Sequence, residues 1–167
     1  MFAHDLTKEN AVRFSRFDPE SLLSTVSAHP IELEGEVWPS AEHYFQAQLA
    51  GSDSWREKIK AAPTPALAHK LGCLWYKRKV RGWKNLRRVM MTRALYTKVQ
   101  MYPVVRDAVL ATGDETILET SLYDHYWGIG RDQRGDNMLG KVWMDIRRKL
   151  RETESEPEKQ ADAQQAS

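Results

Sequence analysis

The chain has 167 residues, of which 41% are hydrophobic and 29% are charged, which is usual for a globular domain that can bury a core. Its net charge at pH 7 is only +2, and its one cysteine, Cys73, excludes an intramolecular disulfide bond and favours a reducing compartment. No apolar run approaches membrane-spanning length, and residues 1–10 lack the apolar core of a secretory signal. These features predict a single-domain cytoplasmic protein.

The first third of the chain predicts a strand, a hairpin and a helix. Apolar and charged residues alternate over 11–17, and residues 31–38 form two short apolar runs around a Glu–Gly turn. A helix is predicted from Ser40, which is a good N-cap residue, to Gly51.

Capping signals predict two further short helices. Ser54 and Glu57 have the spacing of a capping box, which places a helix start at Ser54. Thr64 followed by Pro65 is the favoured order at a helix N-terminus, and Gly72 ends that helix.

The remainder is predicted to be mostly helical up to a polar end. The buried side of a long helix is assigned to Leu86, Met90, Met91, Ala94 and Leu95. The predicted elements are helices over 82–102, 103–113 and 137–151, a buried strand over 116–121, and a loop over 124–137. Residues 1–151 are assigned to the folded domain and 152–167, which lack large apolar residues, to a disordered polar tail.

The charge of the chain is distributed unevenly. No acidic residue occurs between Glu57 and Asp107, although that interval is rich in lysine and arginine. Single basic residues usually belong to a solvated surface, but a long block of one sign favours an anionic ligand such as a phosphate or a nucleic acid.

Glu42 is a candidate site residue in the first turn of the helix that begins at Ser40. Free backbone N–H groups and the helix dipole stabilise a carboxylate there, so a structural role would explain it fully. However, Phe45, Gln46 and Leu49 follow at the spacings that share one helix face with Glu42. We therefore interpret this stripe as a polar pocket wall.

Asp124 is a second candidate, because it follows a predicted strand and opens a glycine-rich loop. Glycines such as Gly128 allow the backbone to approach a ligand closely. The alternative is a turn before the last helix with Asp136 as the N-cap, which explains the glycines but leaves Trp127 unexplained.

Trp83 follows the basic run KRKVRG, and two interpretations remain open. It could anchor its helix in the core, or it could stack on a base while Arg81 or Lys79 holds a phosphate.

The histidines and the cysteine give no sequence signal for metal binding or nucleophilic catalysis. The five histidines have no metal-ligand spacing, so we predict no metal site. Cys73 is interpreted as buried rather than nucleophilic, because no partner is apparent in the sequence.

Residues 38–48 (WPSAEHYFQAQ) and 124–147 (DHYWGIGRDQRGDNMLGKVWMDIR) together resemble the NADAR, or YbiA-like, family. The resemblance covers the chain from about Phe14 to Leu150 and implies a single compact, mostly helical α+β domain with a small β-sheet. It implies N-glycosidase activity without a cofactor. Members of the family act on phosphoribosylated pyrimidine intermediates of riboflavin synthesis or remove ADP-ribose from guanine, so an ADP-ribosylated nucleic acid is one expected partner. The oligomeric state stays open.

The resemblance assigns roles to specific residues. Glu42 and Asp124 are expected to flank the ribose, one stabilising positive charge and the other activating water. Trp83 and Trp127 would hold the base or close the pocket. The remaining expected substrate contacts are Gln46, Gly128 and Asn137, with Lys79, Arg81 and Arg88 for phosphate.

The chain departs from the family pattern at Leu49, where a lysine is usual, and at Thr25–Val26, where Asn–Phe is common. The first departure favours one alternative, a catalytically silent protein that binds ADP-ribose or a nucleotide. The basic interval keeps a second alternative open, a nucleic-acid-binding module.

Overall fold

The structure of the protein, a computed structural model, describes residues 10–165, with side chains to Ser155. The described range is mostly helical with short strands, which confirms the predicted α+β class. The strands are β1 (Val12–Phe14), β2 (Ile31–Leu33), β3 (Glu36–Trp38) and β4 (Ile117–Glu119). The helices are α1 (Ala41–Gln48), α2 (Asp53–Lys60), α3 (Pro65–Gly72), α4 (Trp83–Met101), α5 (Pro103–Ala111) and α6 (Met138–Gln165).

The strands form two separate two-stranded sheets. β1 and β4 are parallel, with Val12 opposite Ile117 and Phe14 opposite Glu119. β2 and β3 form the predicted antiparallel hairpin. All three residues of β4 are buried, whereas β1 buries only Phe14 fully. The parallel pairing brings the residues after β1 close to those after β4.

Helix α1 is the central helix of the domain. It begins as predicted, because the Ser40 hydroxyl accepts a hydrogen bond from the backbone N–H of His43 at 3.2 Å. Every residue from Ala41 to Ala47 is buried, with α2, α3 and α4 packed against the helix. Polar side chains on α1 must therefore find their partners inside the protein.

The two capping predictions have different outcomes. Thr64 caps α3 as predicted, with its hydroxyl accepting from the N–H of Leu67 at 3.1 Å. The predicted start at Ser54 is wrong, since Ser52 has the extended backbone and accepts from the N–H of Trp55. Helix α2 therefore begins two residues earlier than the predicted capping box.

Helix α4 buries a lysine together with its apolar side. Met91, Ala94 and Leu95 are fully buried, and so is Lys98. The Lys98 Nζ donates to the backbone oxygens of Leu22 and Ser24, both at 2.8 Å, and to Ser27 Oγ at 2.6 Å. This lysine therefore holds the loop between β1 and β2 against α4.

Replacing Lys98 by methionine is expected to lower the free energy of unfolding by about 2–4 kcal/mol, because two buried carbonyl groups lose their donor. Urea denaturation measures the change. Lys84→Met, at an exposed position of the same helix, is the control and should change stability by less than about 0.5 kcal/mol. Equal stability of the two variants would contradict the role assigned to Lys98.

The last helix is longer than predicted, because it continues from Arg151 to Gln165. Arg148 pairs with Glu152 one turn later, and Arg106 of α5 pairs with Glu154. The predicted end of this helix at Arg151 is therefore wrong, while the domain boundary there and the polar tail from 152 stay predictions. Residues 166–167 lie outside the described range. None of the described helices has the length and apolar composition of a membrane span.

Candidate active site

Glu42 is fully buried in the first turn of α1. Arg16, which follows β1, donates from Nη2 to Glu42 Oε1 at 2.8 Å and from Nε to Oε2 at 3.2 Å. Thr25 donates from Oγ1 to Oε2 at 2.5 Å. The carboxylate is thus held by charge-assisted hydrogen bonds from two segments outside its own helix.

The carboxylate of Glu42 also contacts Gln46 and His69. Gln46 Nε2 donates to Oε1, and His69 Nδ1 of α3 lies near the same oxygen, both at 2.9 Å. Burial alone would raise the pKa of Glu42, but the charges of Arg16 and His69 and their hydrogen bonds hold that pKa well below its ordinary value. Glu42 is therefore an anion at neutral pH.

His69 is perturbed in the opposite direction. Burial would lower its pKa, but hydrogen bonds with Cys73 and Glu42, together with the charge of Glu42, raise the pKa to about 9. At neutral pH the side chain is an imidazolium that donates from Nδ1 to Glu42. Its Nε2 lies 3.7 Å from the sulfur of Cys73.

Asp124 lies on the other side of Arg16. Its Oδ1 accepts from the backbone N–H groups of Tyr126 at 3.0 Å and Trp127 at 2.7 Å, which fixes the side chain. Its Oδ2 is 3.9 Å from Arg16 Nη1, and 30% of the side chain is exposed. Both predicted acids therefore contact one guanidinium group, and Asp124 is the one that reaches solvent.

A cleft of about 200 Å³ opens beside these residues. Glu42 is not part of its lining, but three of its hydrogen-bond partners are. The lining residues are Arg16, Phe45, Gln46, Leu49, His69, Cys73, Lys79, Trp83, Arg87, Asp124, Tyr126 and Trp127. The predicted stripe Phe45, Gln46 and Leu49 therefore forms one wall of a cleft.

One end of the cleft combines aromatic rings with two cations. The Lys79 Nζ lies 4.6 Å from the ring centre of Trp83. The guanidinium of Arg87 lies 3.2 Å over the ring of Tyr126 and 5.5 Å from Trp83. Neither cation has an acidic partner within the described residues, which makes this end suited to an anion.

Sequence reasoning named several residues that the structure brings to this cleft and some that it does not. Gln46, Lys79, Trp83, Asp124 and Trp127 line it. Arg88 and Arg81 do not: Arg88 instead pairs at 3.1 Å with Asp145 of α6, and Arg81 is exposed. Of the three residues predicted to contact phosphate, only Lys79 lines this cleft, and the phosphate contact itself stays a prediction. Arg88 lies elsewhere because α4 directs successive side chains to different faces.

Gly128 and Asn137 lie beneath the site rather than along the cleft. A Cβ atom on Gly128 would lie 2.2 Å from Oε2 of the buried Glu119. Asn137 accepts from the backbone N–H of Glu119 at 2.9 Å and donates to the oxygen of Ile117 at 2.8 Å. These residues attach the glycine-rich loop to β4, and their predicted contact with the substrate stays a prediction.

Cys73 is exposed, so the prediction of a buried cysteine is wrong. It is the C-cap residue of α3 and follows His69 by four residues, a spacing that could have placed the two side chains on one helix face. Arg16 and Arg87 were also missed as site residues. No local pattern relates either of them to Glu42 or Asp124, because only the fold brings them together.

A second cleft, of about 460 Å³, adjoins the first and shares His69 and Asp124 with it. Its other lining residues are Ser15, Phe17, Thr120, Ser121, Leu122 and Tyr123. His69 and Asp124 therefore lie where the two clefts meet. Among the side chains that the structure describes, those of residues 10–155, no group of three or more from His, Cys, Asp or Glu is arranged to hold a metal ion.

Comparisons of sequence and of structure with known proteins agree on one family. The family model described as NADAR domain matches residues 1–151. N-glycosidase YbiA of Escherichia coli (strain K12) is 33% identical over 137 residues, which cover 82% of this chain and 86% of that protein. A riboflavin biosynthesis protein of Vibrio vulnificus (strain YJ016) is 34% identical over 73% of this chain and 33% of its own length. The NMR structure of E. coli YbiA superposes with a TM-score of 0.79 at 32% identity, covering 87% of this chain and 88% of that chain.

Proposed function

The chain belongs to the NADAR domain family, and from this membership we propose that it is a hydrolase that cleaves the N-glycosidic bond of a phosphorylated ribosyl substrate. The substrate class is a phosphoribosylamino-pyrimidine of riboflavin synthesis or an ADP-ribosyl group on guanine, free or in a nucleic acid. The name of the Vibrio relative favours the first. We also propose a cytoplasmic location.

One observation carries this proposal: a single cleft holds a partly exposed carboxylate, an imidazolium and two cations without acidic partners among the described residues. Cleavage of a ribosyl C–N bond builds positive charge on the sugar while the base leaves with an electron pair. A carboxylate stabilises the sugar, an acid protonates the base, and cations bind the phosphate. Asp124, His69, and the pair of Lys79 and Arg87 supply these three functions.

The structure favours different roles for the two carboxylates. Asp124 has a fixed Oδ1 and reaches solvent, so it is suited to stabilise the sugar cation and accept a proton from water. Glu42 is buried, ionised and bound to four side chains, so it acts by holding Arg16 and His69 in place. We assign the water-activating role to Asp124 and a positioning role to Glu42.

His69 is the candidate acid for the leaving base. Its raised pKa keeps it protonated at neutral pH, and it lies where the two clefts meet. Proton transfer to a base that lies in the second cleft, while the phosphoribosyl group occupies the first, would use this position directly.

A direct assay tests the function. Purified protein is incubated with a phosphoribosylamino-pyrimidine and, separately, with its dephosphorylated counterpart, and free base is quantified. We expect base release from the phosphorylated compound. Arg87→Ala should raise KM for it about 10-fold or more, because a charge-assisted contact is lost, and should leave the dephosphorylated compound unaffected.

Arg88→Ala is the matched control, since Arg88 is the next residue along α4 but pairs with Asp145 outside the cleft. Equal effects of the two substitutions would contradict the phosphate site. Tight binding of the substrate without base release would instead establish the silent binder. Leu49, an apolar side chain in the cleft where the family pattern has a lysine, is the observation that keeps this second candidate open.

A further inference from the structure

Cys73, His69 and Glu42 form a row of three neighbouring ionisable side chains, and the row ends at the cleft with Cys73. Its sulfur lies 3.7 Å from His69 Nε2, and His69 Nδ1 lies 2.9 Å from Glu42 Oε1. Glu42 is buried and held by Arg16, whereas Cys73 is exposed and lines the cleft. The order thiol, imidazole and carboxylate is the arrangement that activates a nucleophilic sulfur.

The surroundings of the sulfur favour the thiolate. Partial desolvation of the sulfur by neighbouring side chains opposes ionisation, but the hydrogen bond and charge of His69 and the charge of Lys79 outweigh it and lower the pKa of Cys73. A thiolate beside an imidazolium is both nucleophilic and next to a proton donor. The site therefore holds a nucleophile and an acid in contact.

The cleft brings the other groups of the reaction to the same place as the sulfur. Cys73, His69 and Asp124 line one cleft of about 200 Å³, together with Lys79 and Arg87. A ribosyl phosphate bound in this cleft would therefore meet the thiolate, the imidazolium, the carboxylate and the two cations together.

Resting on the proposed function, we propose that Cys73 is the covalent nucleophile of the reaction and takes the ribosyl group. In the first step the thiolate bonds to the ribosyl C1 as the C–N bond breaks. The electron pair leaves with the base, which takes a proton from His69. The enzyme is then an S-ribosyl thioether at Cys73.

The second step returns the enzyme to its starting state. A water oxygen bonds to C1 as the C–S bond breaks, and Asp124 accepts a proton from that water. The thiolate is restored, Asp124 releases its proton to solvent, and His69 regains one from solvent. The sum is hydrolysis of the C–N bond, with no oxidant or further reactant.

The test is acid quenching of full-length protein during turnover of a phosphoribosylamino-pyrimidine, followed by mass spectrometry. We expect a mass increase of one ribosyl phosphate on the peptide that contains Cys73. Once formed, the adduct should decay more slowly in Asp124→Asn after the substrate is exhausted, because the second step lacks its base, and no adduct should form in Cys73→Ser. Ribose 5-phosphate in place of the substrate is the control and should give no adduct.

The outcomes separate this proposal from the proposed function. Base release without an adduct at Cys73, in both the wild type and Asp124→Asn, would overturn the covalent role and leave the N-glycosidase activity intact. Base release by Cys73→Ser at the wild-type rate would do the same. Failure of the wild type to release base from any ribosyl substrate would overturn both.

Discussion

Glu42→Gln is expected to lower the free energy of unfolding by about 3–5 kcal/mol, because it leaves the buried Arg16 without its main counter-charge. Arg16 is 2% exposed, and its other acidic contact, Asp124, lies at 3.9 Å. Base release by the folded fraction should fall about 10²-fold, because His69 and Arg16 lose the group that positions them. Urea denaturation and an assay well below the unfolding temperature measure the two effects.

The pH dependence of this stability loss follows from the two pKa shifts. His69 has a raised pKa, so its contribution is complete below its ordinary value of 6.5 and is lost as the pH rises through about 9. Glu42 has a lowered pKa, so its contribution is present above its ordinary value of 4.5 and declines as the pH falls below it. The stability difference between wild type and Glu42→Gln should be largest between those two ordinary values and smaller at pH 9.

Glu57→Gln is the matched control for this substitution. Glu57 is a glutamate of α2 whose side chain is 62% exposed and pairs with Arg56 on the surface. Its replacement should change stability by less than about 1 kcal/mol with no change in activity. If Glu42→Gln were no more damaging than Glu57→Gln, the buried carboxylate would have neither the structural nor the positioning role.

Asp124→Asn is expected to lower kcat about 10²–10⁴-fold with little change in stability. The amide oxygen of asparagine can still accept from the backbone N–H groups of Tyr126 and Trp127, so the loop keeps its conformation. The group facing the cleft is then neutral, and it cannot stabilise a sugar cation or accept a proton from water. Initial rates of base release at saturating substrate measure the loss.

Asp132→Asn provides the comparison for Asp124→Asn, because Asp132 lies in the same loop but is exposed and pairs with His125. That variant should retain wild-type kcat. Full activity of Asp124→Asn would exclude this carboxylate as the base.

Local sequence signals were sufficient where the interaction they predict is itself local. Ser40 and Thr64 cap the helices that follow them, because an N-cap hydrogen bond joins residues three apart. The same logic failed at Ser54, since Ser52 offers an equivalent hydroxyl and the sequence does not rank the two. Lys98 was missed because its three acceptors lie on a loop more than 70 residues earlier.

In the candidate site, too, the features set by local spacing could be predicted and those set by packing could not. Phe45, Gln46 and Leu49 could be assigned to one wall because helical spacing alone puts them on one face of α1. Arg88 was predicted beside the phosphate, although α4 directs it to Asp145 and directs Arg87 to the cleft. Which face of a helix meets the site depends on how that helix packs, and packing is not encoded in a charge pattern.

The sequence by itself determined the helical α+β class, the family, and the carboxylates and aromatic residues that occupy the site, because these depend on residue type and short spacings. Only the tertiary structure decided what each of those residues does. Arg16, Thr25 and His69 reach Glu42 from 26, 17 and 27 residues away and make it a buried anion. The same convergence leaves Asp124 and Cys73 open to the cleft, because burial and partners rather than residue type set the ionisation and accessibility of a side chain.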